Sequence, residues 1–140
     1  MTILRYALLW VLSFAFTSAI DAIWHLGVFR KAYTEGIRPL ARMSDGKMAF
    51  NGAAGILAQV MVVTCIVVLV LYKAGSGTYA GAVLVGALAG VLAISVYGIT
   101  NFALFKDWGP TVTILEMIWG PILGGLSGIF VFWLKTLLIK

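Results

Sequence analysis

Residues 111–134 read TVTILEMIWGPILGGLSGIFVFWL, a run of 24 residues in which Glu116 is the one ionisable side chain. A helix needs about 20 predominantly apolar residues to cross the hydrocarbon core of a bilayer. Three further apolar blocks of similar length precede this run. The sequence therefore predicts four transmembrane helices, at about 6–29, 49–72, 78–105 and 111–134.

The composition supports the same class of protein. Of the 140 residues, 62% are hydrophobic and 11% are charged, whereas a soluble domain has about 45 to 50% apolar and about 25% charged residues. A soluble multidomain enzyme is excluded. We expect a single transmembrane domain over 1–140, with the all-α fold of an integral membrane antiparallel four-helix bundle, because short connections make successive helices antiparallel neighbours.

The connection at 30–47 is the one long loop, and it is basic. We expect at most a short helix there, lying on the membrane surface. Clusters of basic side chains beside a transmembrane helix attract anionic lipids, so the expected partners are membrane lipids, and no nucleic acid is expected. The five bases of this loop are Arg30, Lys31, Arg38, Arg42 and Lys47.

Ionisable side chains inside a bilayer are costly and often mark a functional site. Asp21 and His25 lie one turn apart near the end of the first predicted helix, and Glu116 lies just over one turn into the fourth. With up-and-down threading, these positions fall within about 12 Å of the same membrane face. Asn51, Tyr97, Asn101 and Trp119 fall in the same layer.

Each predicted helix has one polar face, and four such faces are satisfied by turning toward each other. This arrangement predicts a polar vestibule on one side of the bundle, closed below by apolar packing. Asp21, Glu116 and His25 are the candidate catalytic residues. The candidate ligand-binding residues are Asp21, Trp24, His25, Asn51, Tyr97, Asn101, Glu116 and Trp119. The alternative is a hydrogen-bonded network that fixes helix register and binds nothing.

The sequence offers little for a metal or a cofactor. His25 is the one histidine and Cys65 the one cysteine, whereas zinc and iron sites need three or four ligands. Cys65 also has no partner for a disulfide. We therefore expect no metal site and no cofactor.

Small residues recur at helical spacing in the third and fourth predicted helices. Gly86 and Gly90 lie in the third, and Gly120, Gly124 and Gly128 in the fourth. Such stripes let helix backbones approach closely in lipid. They predict close packing of these two helices within the chain, or contacts in a homodimer or a larger membrane complex.

Three short motifs follow one another along the chain: Asp21-Ala-Ile-Trp24, Tyr97-Gly-Ile-Thr-Asn101 and Glu116-Met-Ile-Trp119-Gly120. Together they resemble a family of small bacterial inner-membrane proteins classed as a domain of unknown function, over nearly the whole chain. The resemblance implies four transmembrane helices, a multi-pass location in the bacterial inner (cytoplasmic) membrane, and one site.

That implied site contains Asp21, Trp24, Asn101, Glu116 and Trp119. The family pattern has an aspartate where this chain has Gly98, and another where it has Glu116.

Three functions fit these observations. The first is the binding or transport of a small amphipathic or cationic molecule, with Asp21 and Glu116 as charge partners and the tryptophans as walls. The second is a membrane enzyme that performs acid/base chemistry on a lipid or isoprenoid, with His25 as a proton shuttle. The third is an accessory subunit of a larger membrane complex, and the sequence leaves the choice among the three open.

Overall fold

The computed structural model describes residues 2–73 and 77–139. Within these residues, four helical segments are long and apolar enough to cross a membrane. Those segments are Ile3–Val28, Gly52–Tyr72, Tyr79–Leu104 and Pro110–Leu138. They confirm the predicted all-α fold with four transmembrane helices. Most of the short connection at 73–77 lies outside the described residues.

Two of the four segments contain a π-helical stretch. The first segment consists of α1 (Thr2–Ala22) and the π-helical turn Ile23–Val28. The third consists of α4 (Tyr79–Gly90), the π-helical turn Val91–Ser95 and α5 (Val96–Leu104). The second and fourth are the uninterrupted helices α3 (Gly52–Lys73) and α6 (Pro110–Leu138).

The long basic loop contains more structure than the sequence predicts. The expected short helix is present as α2 (Arg30–Ile37), followed by the 3₁₀ turn Arg38–Leu40. The strands β1 (Met43–Ser44) and β2 (Lys47–Met48) then pair in an antiparallel hairpin that we did not predict. Its signal is the Asp-Gly pair at the turn, since Asp45 and Gly46 both have positive φ, of 50° and 74°, as a type I′ hairpin turn requires.

The helix α2 folds back onto the start of α6. The backbone N–H of Gly109 donates to the carbonyl oxygen of Gly36 at 3.1 Å, and a Cβ on Gly109 would lie 3.0 Å from the Cα of Gly36. Tyr33 is only 8% exposed. This loop therefore belongs to the folded bundle, since part of it is buried against the transmembrane helices.

The apolar core lies in the half of the bundle that contains the chain ends. Its fully buried members come from α1, α3, α4 and α6, and they include Leu9, Val63, Val70, Ala82 and Val131. Polar side chains in this half satisfy each other: the Thr17 hydroxyl donates to Ser127 Oγ at 2.9 Å. The core thus closes one end of the bundle and leaves the other end to the polar residues.

The glycine stripes bring α4 and α6 into backbone contact. A Cβ on Gly86 would meet the carbonyl oxygen of Gly124, and a Cβ on Gly120 would lie 2.7 Å from the carbonyl oxygen of Gly90. Gly128 likewise packs on the backbone of Ala82. The predicted close packing of these helices within the chain is confirmed. Association with a second chain or a larger complex stays a prediction.

Candidate functional site

A cavity of about 1350 Å³ lies at the end of the bundle opposite the core. It is bounded by α1, the first half of α3, the junction of α4 with α5, and the loop that contains α2 and the hairpin. One of its deepest lining residues, Val62, is ten residues into α3, which corresponds to about 15 Å of helix at 1.5 Å per residue. The cavity therefore extends from one face of the bundle toward its middle.

The lining of this cavity changes with depth. The deep part is mostly apolar and includes Phe14, Ala58, Val62, Ala93 and Ile94, with Ser18 and Gln59 as polar exceptions. Charged and polar residues line the part nearer the face, among them Asp21, His25, Tyr97, Glu116, Arg30, Arg38 and Lys47. The cavity is therefore amphipathic along its length.

Asp21, His25 and Glu116 form a cluster in the cavity wall, which we call the carboxylate–histidine cluster. His25 Nδ1 lies 3.2 Å from Asp21 Oδ1 and 3.0 Å from the Asp21 backbone oxygen. On the other side of the ring, His25 Nε2 lies 3.4 Å from Glu116 Oε1. Glu116 is 7% exposed, so this histidine joins a buried carboxylate of α6 to a partly exposed carboxylate of α1.

The π-helical turn Ile23–Val28 positions His25. In this turn the N–H of Phe29 donates to the carbonyl oxygen of Trp24, five residues earlier, at 3.0 Å. A π turn inserts an extra residue into the helix and so rotates the side chains that follow it, and such turns occur often at functional sites. The rotation is the reason that helical periodicity alone cannot place the end of this helix.

Two stacked tryptophans support the cluster from behind. Trp119 is 4% exposed and its Nε1–H donates to Asp21 Oδ1 at 2.7 Å. Its ring stacks on Trp24, with 4.3 Å between centroids and 8° between planes. The two rings therefore contact each other directly and leave no space for a ligand between them.

Tyr33 of α2, which the sequence does not predict to be a site residue, completes this group of side chains. Its hydroxyl oxygen accepts a hydrogen bond from Trp24 Nε1 at 3.1 Å, and its ring centroid lies 4.5 Å from that of His25. Burial, and then the negative charge of Glu116, raise the pKa of the Tyr33 phenol. The available signal was a tyrosine, an aromatic residue with a polar tip, in a short helix that also contains Arg30, Lys31 and Glu35.

A hydrogen bond from α4–α5 compensates for a proline in α6. Pro121 has no N–H to donate to the carbonyl oxygen of Met117, four residues earlier. Ser95 Oγ lies 3.2 Å from that oxygen and 3.3 Å from the carbonyl oxygen of Glu116. Because backbone carbonyls within a bilayer need internal partners, this contact fixes the turn of α6 that bears Glu116 and Trp119.

Gly98 makes room for Glu116. A Cβ at position 98 would lie 2.7 Å from the Cβ and 3.2 Å from the Cγ of Glu116. That separation is shorter than an ordinary van der Waals contact. The absence of a side chain at Gly98 therefore lets the Glu116 side chain pass α5 on its way to His25.

The structure brings together five of the eight predicted site residues: Asp21, Trp24, His25, Glu116 and Trp119. Tyr97 lines the same cavity and packs edge-on against Trp108 at 5.8 Å. The remaining two do not line it. Asn51 caps α3, where the N–H of Ala54 donates to its Oδ1 at 3.1 Å, and Asn101 has a buried Nδ2 with no hydrogen-bond partner among the described residues.

The cluster is suited to holding a proton. Each nitrogen of His25 faces a carboxylate oxygen, and both nitrogens can donate only when the ring is protonated. The neutral ring has one N–H and can still donate to one of the two carboxylates. In the described part of the chain, no three His, Cys, Asp or Glu side chains are arranged to hold a metal ion.

Comparison with known proteins identifies one family. The model of a family described as "Predicted membrane protein (DUF2177)" matches residues 6–133. No curated protein and no solved structure matches the chain.

Proposed function

We propose that this chain, which belongs to the family described as predicted membrane protein (DUF2177), binds an amphipathic molecule in the one-sided cavity and carries it within the membrane. The observation that supports this most directly is the polarity gradient of the cavity. Charged side chains surround its outer part and apolar side chains its deep part. A molecule with a polar head and an apolar chain matches both parts at once.

The size of the cavity favours a molecule as large as a lipid. Ligand pockets usually measure about 300 to 1,000 Å³, and this cavity measures about 1350 Å³. Its deep residues, such as Phe14 and Val62, offer no hydrogen bonds to water. Burying an apolar chain there removes apolar surface from water at about 25 cal/mol per Å² if the chain arrives from solution.

Two polar atoms beside the cavity also favour a bound molecule. Ser18 Oγ and Gln59 Nε2 are buried and have no hydrogen-bond partner among the described residues, although both side chains belong to the cavity lining. A buried polar atom without a partner costs about 1 to 3 kcal/mol. Water in the cavity, or a ligand whose polar head extends to this level, can satisfy these two atoms.

The test is to fill the cavity and measure binding. Purified protein in lipid nanodiscs is titrated with a fluorescent fatty acid, and palmitate is used to displace it. Ala58 lines the cavity, so Ala58→Trp should abolish displaceable binding. Leu57 is 61% exposed and lies outside the cavity lining, so Leu57→Trp is the matched control. Equal binding by both variants and the parent would refute the proposal.

The geometry of the cluster supports a second candidate, a membrane enzyme that performs acid/base chemistry on a lipid or isoprenoid. His25 lies between a buried and a partly exposed carboxylate, an arrangement in which two acids differ in environment and can take separate acid and base roles. The parent and Glu116→Gln are incubated with a bacterial lipid extract, and the products are compared by mass spectrometry. A product formed by both proteins, or by neither, would exclude this candidate.

We propose the bacterial inner (cytoplasmic) membrane as the location, supported by the resemblance of the motifs to small proteins of that membrane. Membrane lipids are the proposed partners. A homodimer, or a role as an accessory subunit in a larger membrane complex, is tested by crosslinking in native membranes. A crosslinked partner protein, together with no binding of the fluorescent fatty acid by the parent protein, would favour the accessory role.

A further inference from the structure

We infer that the molecule bound in the cavity has an acidic head group, which the basic side chains at the mouth of the cavity bind. This inference rests on the proposed function, namely that the cavity takes an amphipathic molecule. Three observations indicate the chemical class of the head group. Bases line the mouth of the cavity, the carboxylates of the cavity already contact other side chains of the protein, and the bases lie nearer the mouth than the carboxylates.

Three bases line the mouth of the cavity, and they come from three different elements. Arg30 begins α2, Arg38 follows its end, and Lys47 lies in β2. Among the described residues, none of the three forms a salt bridge. Lys31 and Glu35, in contrast, pair with each other at 3.8 Å on the exposed side of α2. The positive charges at the mouth are therefore available to a ligand.

The carboxylates of the cavity are already engaged inside the protein. Asp21 Oδ1 accepts from Trp119 Nε1 at 2.7 Å and faces His25 at 3.2 Å. Glu116 Oε1 faces His25 at 3.4 Å. A cationic head group that binds Asp21 Oδ1 or Glu116 Oε1 would have to compete with these partners. The lining as a whole is positive in either protonation state of His25, because the three bases outnumber the two acids.

The order of charges along the cavity points the same way. The bases belong to the loop that covers the face of the bundle, whereas Asp21 and Glu116 lie further in, on α1 and α6. An acidic head at the mouth meets the bases while its chain reaches Phe14 and Val62. A cationic amphiphile in the same orientation would place its head against three like charges, which is unfavourable.

The test uses three probes with the same apolar chain and different heads: palmitate, hexadecanol and hexadecyltrimethylammonium. Each displaces a fluorescent fatty acid from the protein in phosphatidylcholine nanodiscs. We expect palmitate to bind about tenfold more tightly than the other two, which corresponds to about 1.4 kcal/mol, and its advantage to shrink at high salt.

Variants at the mouth show which residues recognise the head. The double substitution Arg30→Gln with Arg38→Gln should weaken palmitate about tenfold and change hexadecanol less than about twofold. Lys31→Gln is the matched control, because Lys31 is 87% exposed and does not line the cavity. It should leave all three probes unchanged.

The outcomes separate this inference from the proposed function. If all three probes bind equally, or if the ammonium probe binds most tightly, the acidic head group is wrong while the cavity remains a binding site. If no probe binds to the parent, or if Ala58→Trp does not reduce binding, the proposed function fails and the inference with it. Adding phosphatidylglycerol to the nanodiscs distinguishes two sources of the acidic head. If phosphatidylglycerol competes with palmitate, the ligand is a bilayer phospholipid; if it does not compete, the ligand is a single-chain acid.

Discussion

His25 Nε2 lies 3.4 Å from Glu116 Oε1, and this hydrogen bond joins the end of the first transmembrane segment to the start of the fourth. The same imidazole contacts Asp21 through Nδ1. Together with Trp119, this cluster connects α1 and α6 at the cavity end of the bundle.

Removing the Glu116 carboxylate should destabilise the bundle according to what replaces it. In Glu116→Gln the side-chain oxygen can still accept from His25, whereas Glu116→Leu leaves His25 Nε2 without its partner. We expect the leucine variant to lose about 1 to 3 kcal/mol of unfolding free energy and the glutamine variant less. Glu35→Gln, on the exposed side of α2, should show no measurable change. Equal stability of the two Glu116 variants in detergent would contradict the hydrogen bond.

Trp119→Phe separates the hydrogen bond of this residue from its stacking. Phenylalanine can still stack on Trp24 but cannot donate to Asp21 Oδ1. Because that acceptor is a carboxylate, we expect a loss of about 1.5 to 3 kcal/mol in denaturant unfolding. Trp133 is 44% exposed, and Trp133→Phe serves as the control. A control that loses as much as Trp119→Phe would show that the effect is not specific to the Asp21 contact.

Gly124→Ala tests the backbone contact of α4 with α6. The added methyl group would meet the carbonyl oxygen of Gly86, and overpacking of this kind costs about 1 to 3 kcal/mol. A Cβ on Gly27 would meet nothing within 4 Å, so Gly27→Ala should be neutral or stabilising. Thermal unfolding in detergent compares the two, and an unchanged midpoint for Gly124→Ala would mean that the helices can separate without cost.

Gly98→Ala should displace Glu116 without unfolding the protein. The new Cβ would lie 2.7 Å from the Cβ of Glu116, so the side chain has to move away from His25. We expect the ¹⁵N chemical shifts of the His25 ring to change while the helix content stays the same. Gly55→Ala is the control, since its methyl group would meet only the ring of Phe50, which is 84% exposed and free to move. Identical His25 spectra in the parent and Gly98→Ala would refute the steric argument.

Tyr33→Phe should change how stability depends on pH. The pKa of Tyr33 is raised above its ordinary value of 10.0 by burial and by Glu116. The unfolded chain therefore ionises this phenol before the folded chain does, and the unfolding free energy falls as pH rises above about 10. Phenylalanine removes that contribution, so the variant should lose less stability than the parent in this range. Below it, the difference between the two proteins should not vary with pH, and parallel curves throughout would contradict the burial of the hydroxyl.

The sequence by itself determined the four transmembrane segments and the end of the bundle where the polar residues gather, and it marked the glycine stripes of α4 and α6 as close-contact surfaces without deciding which helix they contact. These features follow from length, from small-residue spacing and from position along each helix. A bilayer requires a long apolar run to be helical, and the rise of 1.5 Å per residue converts a residue number into a depth. Depth alone therefore placed Asp21, His25 and Glu116 in one layer.

Only the tertiary structure decided which side chains in that layer meet. Asn51 and Asn101 have the right depth, but Asn51 caps α3 and neither residue lines the cavity. Tyr33 reaches the cluster from a loop expected to lie on the membrane surface. The physical reason is rotation about the helix axis: residues at one depth can point in any direction, and the π turns at Ile23–Val28 and Val91–Ser95 shift that direction by one residue. Such a shift depends on the packing of neighbouring helices, which periodicity in a single segment does not contain.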